Sequence, residues 1–349
     1  MRLEPREHVP MWMVLSAPIA AIGVAMVLVS GLVLWTGESV FDAYMALFKG
    51  AFGSRFAFAE TLTRATPVML TGLAAAVAFR ARFWNIGAEG QLYCGALAAT
   101  FFGTGLVTLP PVLMIPFLFL MGALAGGMAL ALPVYLKTKL KVDEVVTTLL
   151  LNFVILLFVN YLLEGPLRDP LSMGWPQAAA IIDEGVLPRI MAKSRLHMGL
   201  IVAIVSAVLV WLTMRFTVWG YEIRAVGHNP SAATFAGISI NLTVLRVALL
   251  SGGLAGFAGV TEVAGLKGYL TLDLSPGFGY SGIAVAMLAN LHPLGVIASA
   301  IFLAGIYVGA DSMSRAVNIP NYIADVLVAV SVLAVLVSLM LTHYRIKFR

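Results

Sequence analysis

Long apolar runs broken by short polar stretches set the plan of this 349-residue chain. About 20 consecutive apolar residues cross a bilayer as a helix, and several runs reach that length. Ten spans are predicted, at about 13–35, 61–79, 88–107, 110–135, 144–163, 197–214, 242–263, 279–291, 294–311 and 322–342, the eighth being short. The first run is too long for a signal segment and lacks a small-residue cleavage site, so it reads as an uncleaved span. Residues 39–57 carry Val40, Phe41, Tyr44, Leu47 and Phe48 at helical spacing, which predicts an amphipathic helix on the outer surface of the membrane. Ten spans divide into two sets of five, and an odd number per set gives the sets opposite orientation. The expected fold is an all-α polytopic membrane protein with about ten transmembrane helices in two inverted five-helix halves. It forms one transmembrane domain, with a first half at about 10–163, an outer loop at 164–196, a second half at about 197–345 and a cytoplasmic loop at 220–240.

The longest polar interruption on the inner side, YEIRAVGHNPSAATFAGISI at 221–240, carries its own helix punctuation. Asn229 suits an N-cap, Pro230 the first helical position, and Gly237 the left-handed residue that follows a helix C-terminus. That predicts a helix of about seven residues, roughly 10 Å long. Alone in water so short a helix is marginal, so flanking spans or a partner must hold it. The stretch is either an ordinary interhelical loop or a docking helix that passes a force to a soluble engine.

Two further stretches break the apolar pattern. NIGAEGQLYCGALAA at 85–99 and SPGFGYSGIAVAMLA at 275–289 each place a glycine-rich break before a small-residue helix, at matching places in the two halves. Interrupted helices at corresponding positions point to a substrate site, because free backbone groups are tolerated at membrane depth only where they line a cavity. Asn85, Glu89 and Gln91 belong to the first break, Phe278 and Tyr280 to the second, and Asn152 and Asn160 to the fifth span. Glu89 reads equally as a helix-start carboxylate held by free N–H groups and as a substrate contact. Glu262, near the outer end of the seventh span, reads as an interfacial residue reaching water beside Lys267 or as a pathway residue. Asn152 and Asn160 suit hydrogen bonds between helices more than a grip on substrate, Asn152 being kept as a pathway residue, and the two aromatic rings suit stacking on a flat cargo or an interfacial position. Gly122/Gly126, Gly252/Gly256 and Gly305/Gly309 fit close helix packing.

Composition agrees and narrows the function. Hydrophobic residues make up 60% and charged residues 11%, which excludes a soluble globular domain. The net charge of +5 is scattered over short loops rather than gathered on one face, so nucleic acid is not an expected partner. With the N-terminus inside, 13 of the 22 Lys and Arg residues fall in inner segments, which predicts both termini in the cytoplasm. The single cysteine, Cys94, excludes an intramolecular disulfide. The chain holds no G-x-x-x-x-G-K-[ST] phosphate loop, no His/Cys cluster at metal-ligand spacing and no nucleophile elbow. Enzyme chemistry is not expected, and no metal or catalytic residue is assigned.

FRARFWNIGAEGQLYCGALAA at 79–99, EVVTTLLLNF at 144–153, EGPLRDP at 164–170, IRAVGHNPSAATFAGISI at 223–240 and SPGFGYSGIAVAMLANLHPLG at 275–295 resemble the permease family of ABC importers for branched-chain amino acids and simple sugars. Within it they resemble the nucleoside and simple-sugar permeases paired with basic-membrane-protein-type lipoproteins. The resemblance implies a ten-helix permease in the bacterial inner membrane, carrying nucleosides or a related sugar. It also implies three partners: a separate ABC ATPase with two fused nucleotide-binding domains that binds ATP and magnesium, a second related permease (or a second copy), and a substrate-binding lipoprotein outside the cell. Arg224, Gly227, Asn229, Pro230, Ala233 and Gly237 match the family's cytoplasmic coupling loop, and residues 85–91 its signature near the translocation path. Trp84 stands where an aliphatic residue is expected. Pentoses, branched-chain amino acids or amides are the rival cargoes. An ion-coupled secondary transporter with inverted repeats is the rival class, and its uptake would collapse with an uncoupler.

Overall fold

The computed structural model describes residues 2–5, 11–317, 320 and 322–347, so Arg6 and Arg349, which enter the charge count, lie outside it. Its elements run β1 (Arg2–Pro5), α1 (Met11–Trp35), α2 (Val40–Phe52), α3 (Arg55–Arg80), α4 (Ala88–Gly103), α5 (Pro111–Ala129), α6 (Ala131–Leu140) and α7 (Glu144–Glu164). They continue with α8 (Gly199–Phe216), α9 (Val218–His228), α10 (Pro230–Phe235), α11 (Ile240–Thr261), α12 (Phe278–Leu288), α13 (Pro293–Val317), α14 (Tyr322–His343) and β2 (Tyr344–Lys347). A helix stands at each of the ten predicted spans. Among the described residues, seven spans are long and apolar enough to cross a membrane, α5–α6 counting as one, and the pair α1 and α2, bent by 117°, makes an eighth if taken as one span. Helices α4, at 16 residues, and α12, at 11, are the short ones.

Several boundaries move from expectation. Helix α3 begins at Arg55 rather than near 61. The fourth span runs on through α6 to Leu140, where Lys141 turns left-handed at φ 55°. The seventh continues past α11 through a π-helical turn at Glu262–Lys267, closed by Gly268 at φ 81°. A π turn shifts the side-chain register without ending the helix, which the sequence pattern does not announce.

The chain gathers into two compact units, residues 1–61 with 301–349 and residues 62–300. In the first, α1 lies along α14, and β1 pairs antiparallel with β2, Arg2 opposite Lys347. The predicted amphipathic helix is α2, with Phe41 and Phe48 exposed and Ala43 and Ala51 buried. Gly305 and Gly309 of α13 receive it, against Phe52 and Leu47.

The second unit is built on α11. Gly252 and Gly256 face Gly126 and Gly122 of α5, and Gly256 and Gly259 face Gly95 and Leu92 of α4. A Cβ on Gly95, Gly126, Gly252, Gly256 or Gly259 would overlap the facing backbone oxygen. Backbones this close replace side-chain volume by direct van der Waals contact, the packing that substitutes for hydrophobic drive inside a bilayer. The loop at 165–198 is tied across the ends of these helices: Ile182 N donates to Gly103 O (2.8 Å), Leu187 N to Ala264 O (2.8 Å) and Ile181 N to Gly268 O (2.9 Å).

Candidate site: two broken helices and a short capped helix

The first break, residues 81–87, enters between α3 and α4 with its peptide groups unable to pair as a helix, so other elements must satisfy them. Helix α7 does much of this with one face. Glu144, Thr148 and Asn152 recur every four residues and therefore stack along the axis. Glu144 Oε1 accepts from Trp84 N (3.3 Å), Thr148 Oγ1 from Ile86 N (3.2 Å) and Asn152 Oδ1 from Gly90 N (2.8 Å). Asn152 Nδ2 returns a bond to Ile86 O (3.0 Å) and reaches Tyr280 Oη (3.2 Å). Lys137 pairs with Glu144 and sits over the Phe83 ring.

Inside that ladder the amides of Asn85 and Gln91 close on each other. Asn85 Nδ2 donates to Gln91 Oε1 (2.9 Å), and Gln91 Nε2 donates to Asn85 Oδ1 (2.8 Å). Asn85 also accepts from Gly87 N and donates to Ser251 Oγ of α11, whose hydroxyl donates to Ala74 O of α3. Both amides are buried and their bonding groups are engaged, so in this conformation they hold backbone rather than wait for cargo.

The second break, residues 268–277, precedes α12. Ser275 Oγ caps it, accepting from Phe278 N (2.9 Å) and Gly277 N (3.2 Å), with Gly277 left-handed at φ 92°. Helix α4 supplies the other supports. Tyr93 Oη accepts from Ser275 N (3.2 Å) and donates to Leu272 O, and Glu89 Oε2 accepts from Gly279 N (2.7 Å). Glu89 is thus a carboxylate on free helix-start N–H groups, but on those of α12 rather than of its own helix. The two broken helices meet start to start, with Gly279 against the backbone of Glu89.

Of the residues singled out beforehand, Asn85, Glu89, Gln91, Asn152, Phe278 and Tyr280 gather around these breaks. Phe278 is buried, while Tyr280 keeps 40% of its surface open. Glu262 corrects an expectation: it does not reach water but is 1% exposed at the start of the π turn, and its Oε1 finds no hydrogen-bond partner. Lys267 turns instead to Asp273 (3.1 Å). Thr271 and Lys267 hold the Asp273 carboxyl below the usual carboxylate range.

Further along the chain, Asn229 Oδ1 caps α10 by accepting from Ala232 N (3.1 Å). Ile238 N bonds Ala233 O (2.9 Å) and Gly237 N bonds Thr234 O (3.0 Å) around Gly237 at φ 82°, a Schellman closure. The helix has six residues, with Ala233 buried and Phe235 95% exposed. Helix α9, missed beforehand, precedes it and buries Gly220, Ile223, Val226 and Gly227. Arg224 is half-buried on its flank.

Two short helices thus meet start to start beside longer apolar spans, and comparison with known proteins gives the family of the chain. Residues 57–336 match the family described as branched-chain amino acid transport system / permease component. The chain belongs to this family. The permease is 35% identical to the guanosine ABC transporter permease protein NupP of Bacillus subtilis, over 96% of this chain and 95% of that one. It is 33% identical to the glucose ABC transporter permease protein TsgB13 of Haloferax volcanii, over 99% and 93%. It is 31% identical to the nucleoside ABC transporter permease protein NupB of Lactococcus lactis, over 89% and 88%. The permease is a multi-pass membrane transport subunit, not an enzyme.

Proposed function

We propose that this permease is the membrane subunit of an ATP-driven importer that carries nucleosides into the cytoplasm across the bacterial inner membrane. The observation that carries the reading is its similarity, along nearly the whole chain, to permeases named for guanosine and for nucleosides. Both termini lie in the cytoplasm, in keeping with the Lys and Arg bias of the inner loops. A separate ATPase, with two fused domains holding ATP and magnesium, docks on α10. Phe235 is its apolar anchor, and Arg224, Gly227, Asn229, Pro230, Ala233 and Gly237 set the position of that helix. A second permease, related or identical, completes the pathway, and an extracytoplasmic lipoprotein delivers the cargo.

Along the path, Tyr280 offers a ring face to the base and Asn152 fixes its hydroxyl. Glu89, Phe278, Asn85 and Gln91 hold the two helix starts that open and close around the cargo. Glu262 stands further along with one acceptor oxygen to offer. A sugar is the second reading, favoured by the similarity to a glucose permease over 99% of the chain.

The test is uptake of labelled guanosine, adenosine and uridine in cells with and without the gene, with unlabelled ribose and glucose as competitors. One arm depletes ATP and another the proton gradient. Uptake that is lost on deletion, needs ATP and ignores both sugars is the expected result. Competition by glucose turns the assignment to sugars, and collapse with the uncoupler alone overturns the ABC mechanism.

A further inference from the structure

Helix α12 is held at both ends, and the lower hold belongs to a residue with no assigned role. At its start, Gly279 is bonded by Glu89, and Phe278 O accepts from Thr71 Oγ1 of α3 (2.8 Å). At its end, the turn into α13 places two consecutive non-glycine residues in the left-handed region, Asn290 at φ 49° and Leu291 at φ 58°. The turn closes on its own backbone, Leu291 N bonding Ala286 O (2.8 Å) and Asn290 N bonding Met287 O (2.9 Å), and Arg80, at the last position of α3, ties it to α3 by donating from Nε to Leu291 O (3.3 Å). The same residue meets the cytoplasmic helices through its backbone. Gly227 of α9 lies against the Arg80 carbonyl and the Ala81 Cα so closely that a Cβ there would overlap the carbonyl oxygen. Two residues after Gly227, Asn229 opens α10. Arg80 therefore touches α9 with its main chain and the α12–α13 turn with its side chain, one position before the first break begins.

We propose that Arg80 is the positioning residue that makes α12 follow the motion of α9 and α10. The inference rests on the import reading above, in which α10 moves with the ATPase. Gly227 bears on the Arg80 carbonyl, the guanidinium carries the displacement to Leu291, and α12 transmits it to its start at Glu89. Through α3 alone the displacement reaches α12 near its start, where Thr71 bonds Phe278 O and Gly282 lies against Thr71, while the Arg80 bond ties the other end, at the α12–α13 turn, to the same helix.

The experiment uses the complete transporter in liposomes, with ATP hydrolysis and uptake measured together. Arg80→Gln is too short to reach Leu291 O, whereas Arg80→Lys keeps a donor of nearly the right length. Spin labels at His228 and His292, both exposed, report on the two ends of the link in a Cys94→Ser background. In Arg80→Gln, basal hydrolysis and assembly are expected to stay at the wild-type level while cargo moved per ATP falls about tenfold. Arg80→Lys is expected to recover most of that ratio. The 228–292 distance should be unchanged by ATP in the wild type and should lengthen on ATP in Arg80→Gln. An unchanged ratio with an unchanged distance in Arg80→Gln overturns the linkage while leaving the import reading intact. A wild-type complex that moves no cargo on ATP overturns the import reading, and the linkage with it.

Discussion

The two broken helices occupy matching places in the sequence, yet they are held in different ways. Before α4, the break is fastened by a mutual amide pair, a serine on α11 and three rungs from α7. Before α12, the fastening is a serine cap, a tyrosine and a carboxylate, joined by Thr71 on Phe278 O, Lys267 on Thr271 and Asp273, and the 165–198 loop on Gly268 and Leu270. The first is a polar network with its donors and acceptors satisfied, which rigidifies its surroundings. The second is held by separate bonds from several elements, and its helix ends in a turn with two left-handed residues, Asn290 and Leu291. The lesson is that matching places in the sequence need not be fastened by matching bonds: the start of α4 is held by one closed amide network, that of α12 by bonds from several elements.

The comparison is broken most severely at the start of α4. Asn85→Leu removes bonds to Gln91, Gly87 and Ser251 and strands their buried partners, so a loss of about 3 kcal/mol or more is expected, read as a lowered unfolding midpoint in detergent. Next is Gly279→Ala, whose Cβ would overlap the backbone of Glu89. It should cost about 1–3 kcal/mol of stability yet reduce uptake per folded transporter far more than the Asn85 change does per folded molecule. Glu89→Gln keeps an acceptor for Gly279 N but loses its charge, so about 1–2 kcal/mol is expected, seen as faster amide exchange confined to residues 277–281. Smallest is Ser275→Ala, a lost cap of about 1 kcal/mol, with the same exchange signature and the first break untouched. Equal exchange protection at 85–91 and 275–279 in the native protein would erase the distinction.

Local signals were legible and long-range ones were not. Asn229, Pro230 and Gly237 announced α10 because a cap and a Schellman closure are bonds between neighbours in sequence. Both breaks were visible as glycine-rich interruptions, and the gathering of six candidate residues around them followed. The amide pair was not visible, since nothing in Asn85 or Gln91 states that its partner lies six residues away across a bend. Helix α9 escaped because it lies inside the polar interruption between two spans and carries two glycines, Gly220 and Gly227, which argue against a helix although its apolar residues recur at helical spacing. Glu144 and Thr148 were readable as a four-residue spacing ending at Asn152, but a polar face on a membrane helix becomes meaningful only beside a strand of unpaired backbone. Arg80 passed as one more inner-side positive charge. Glu262 was misplaced because a π turn carries the helix past the residue that looked like its end.

The glycine seam joining α4, α5 and α11 also bears on how such a permease can change over generations. At Gly95, Gly126, Gly252, Gly256 and Gly259 the facing group is backbone, which no second substitution can shrink. A compensating pair of mutations, the usual route by which packed cores drift, is closed there. Variation is therefore expected to accumulate on the far sides of these three helices, leaving the seam as the slowest-changing line in any lineage that keeps this packing.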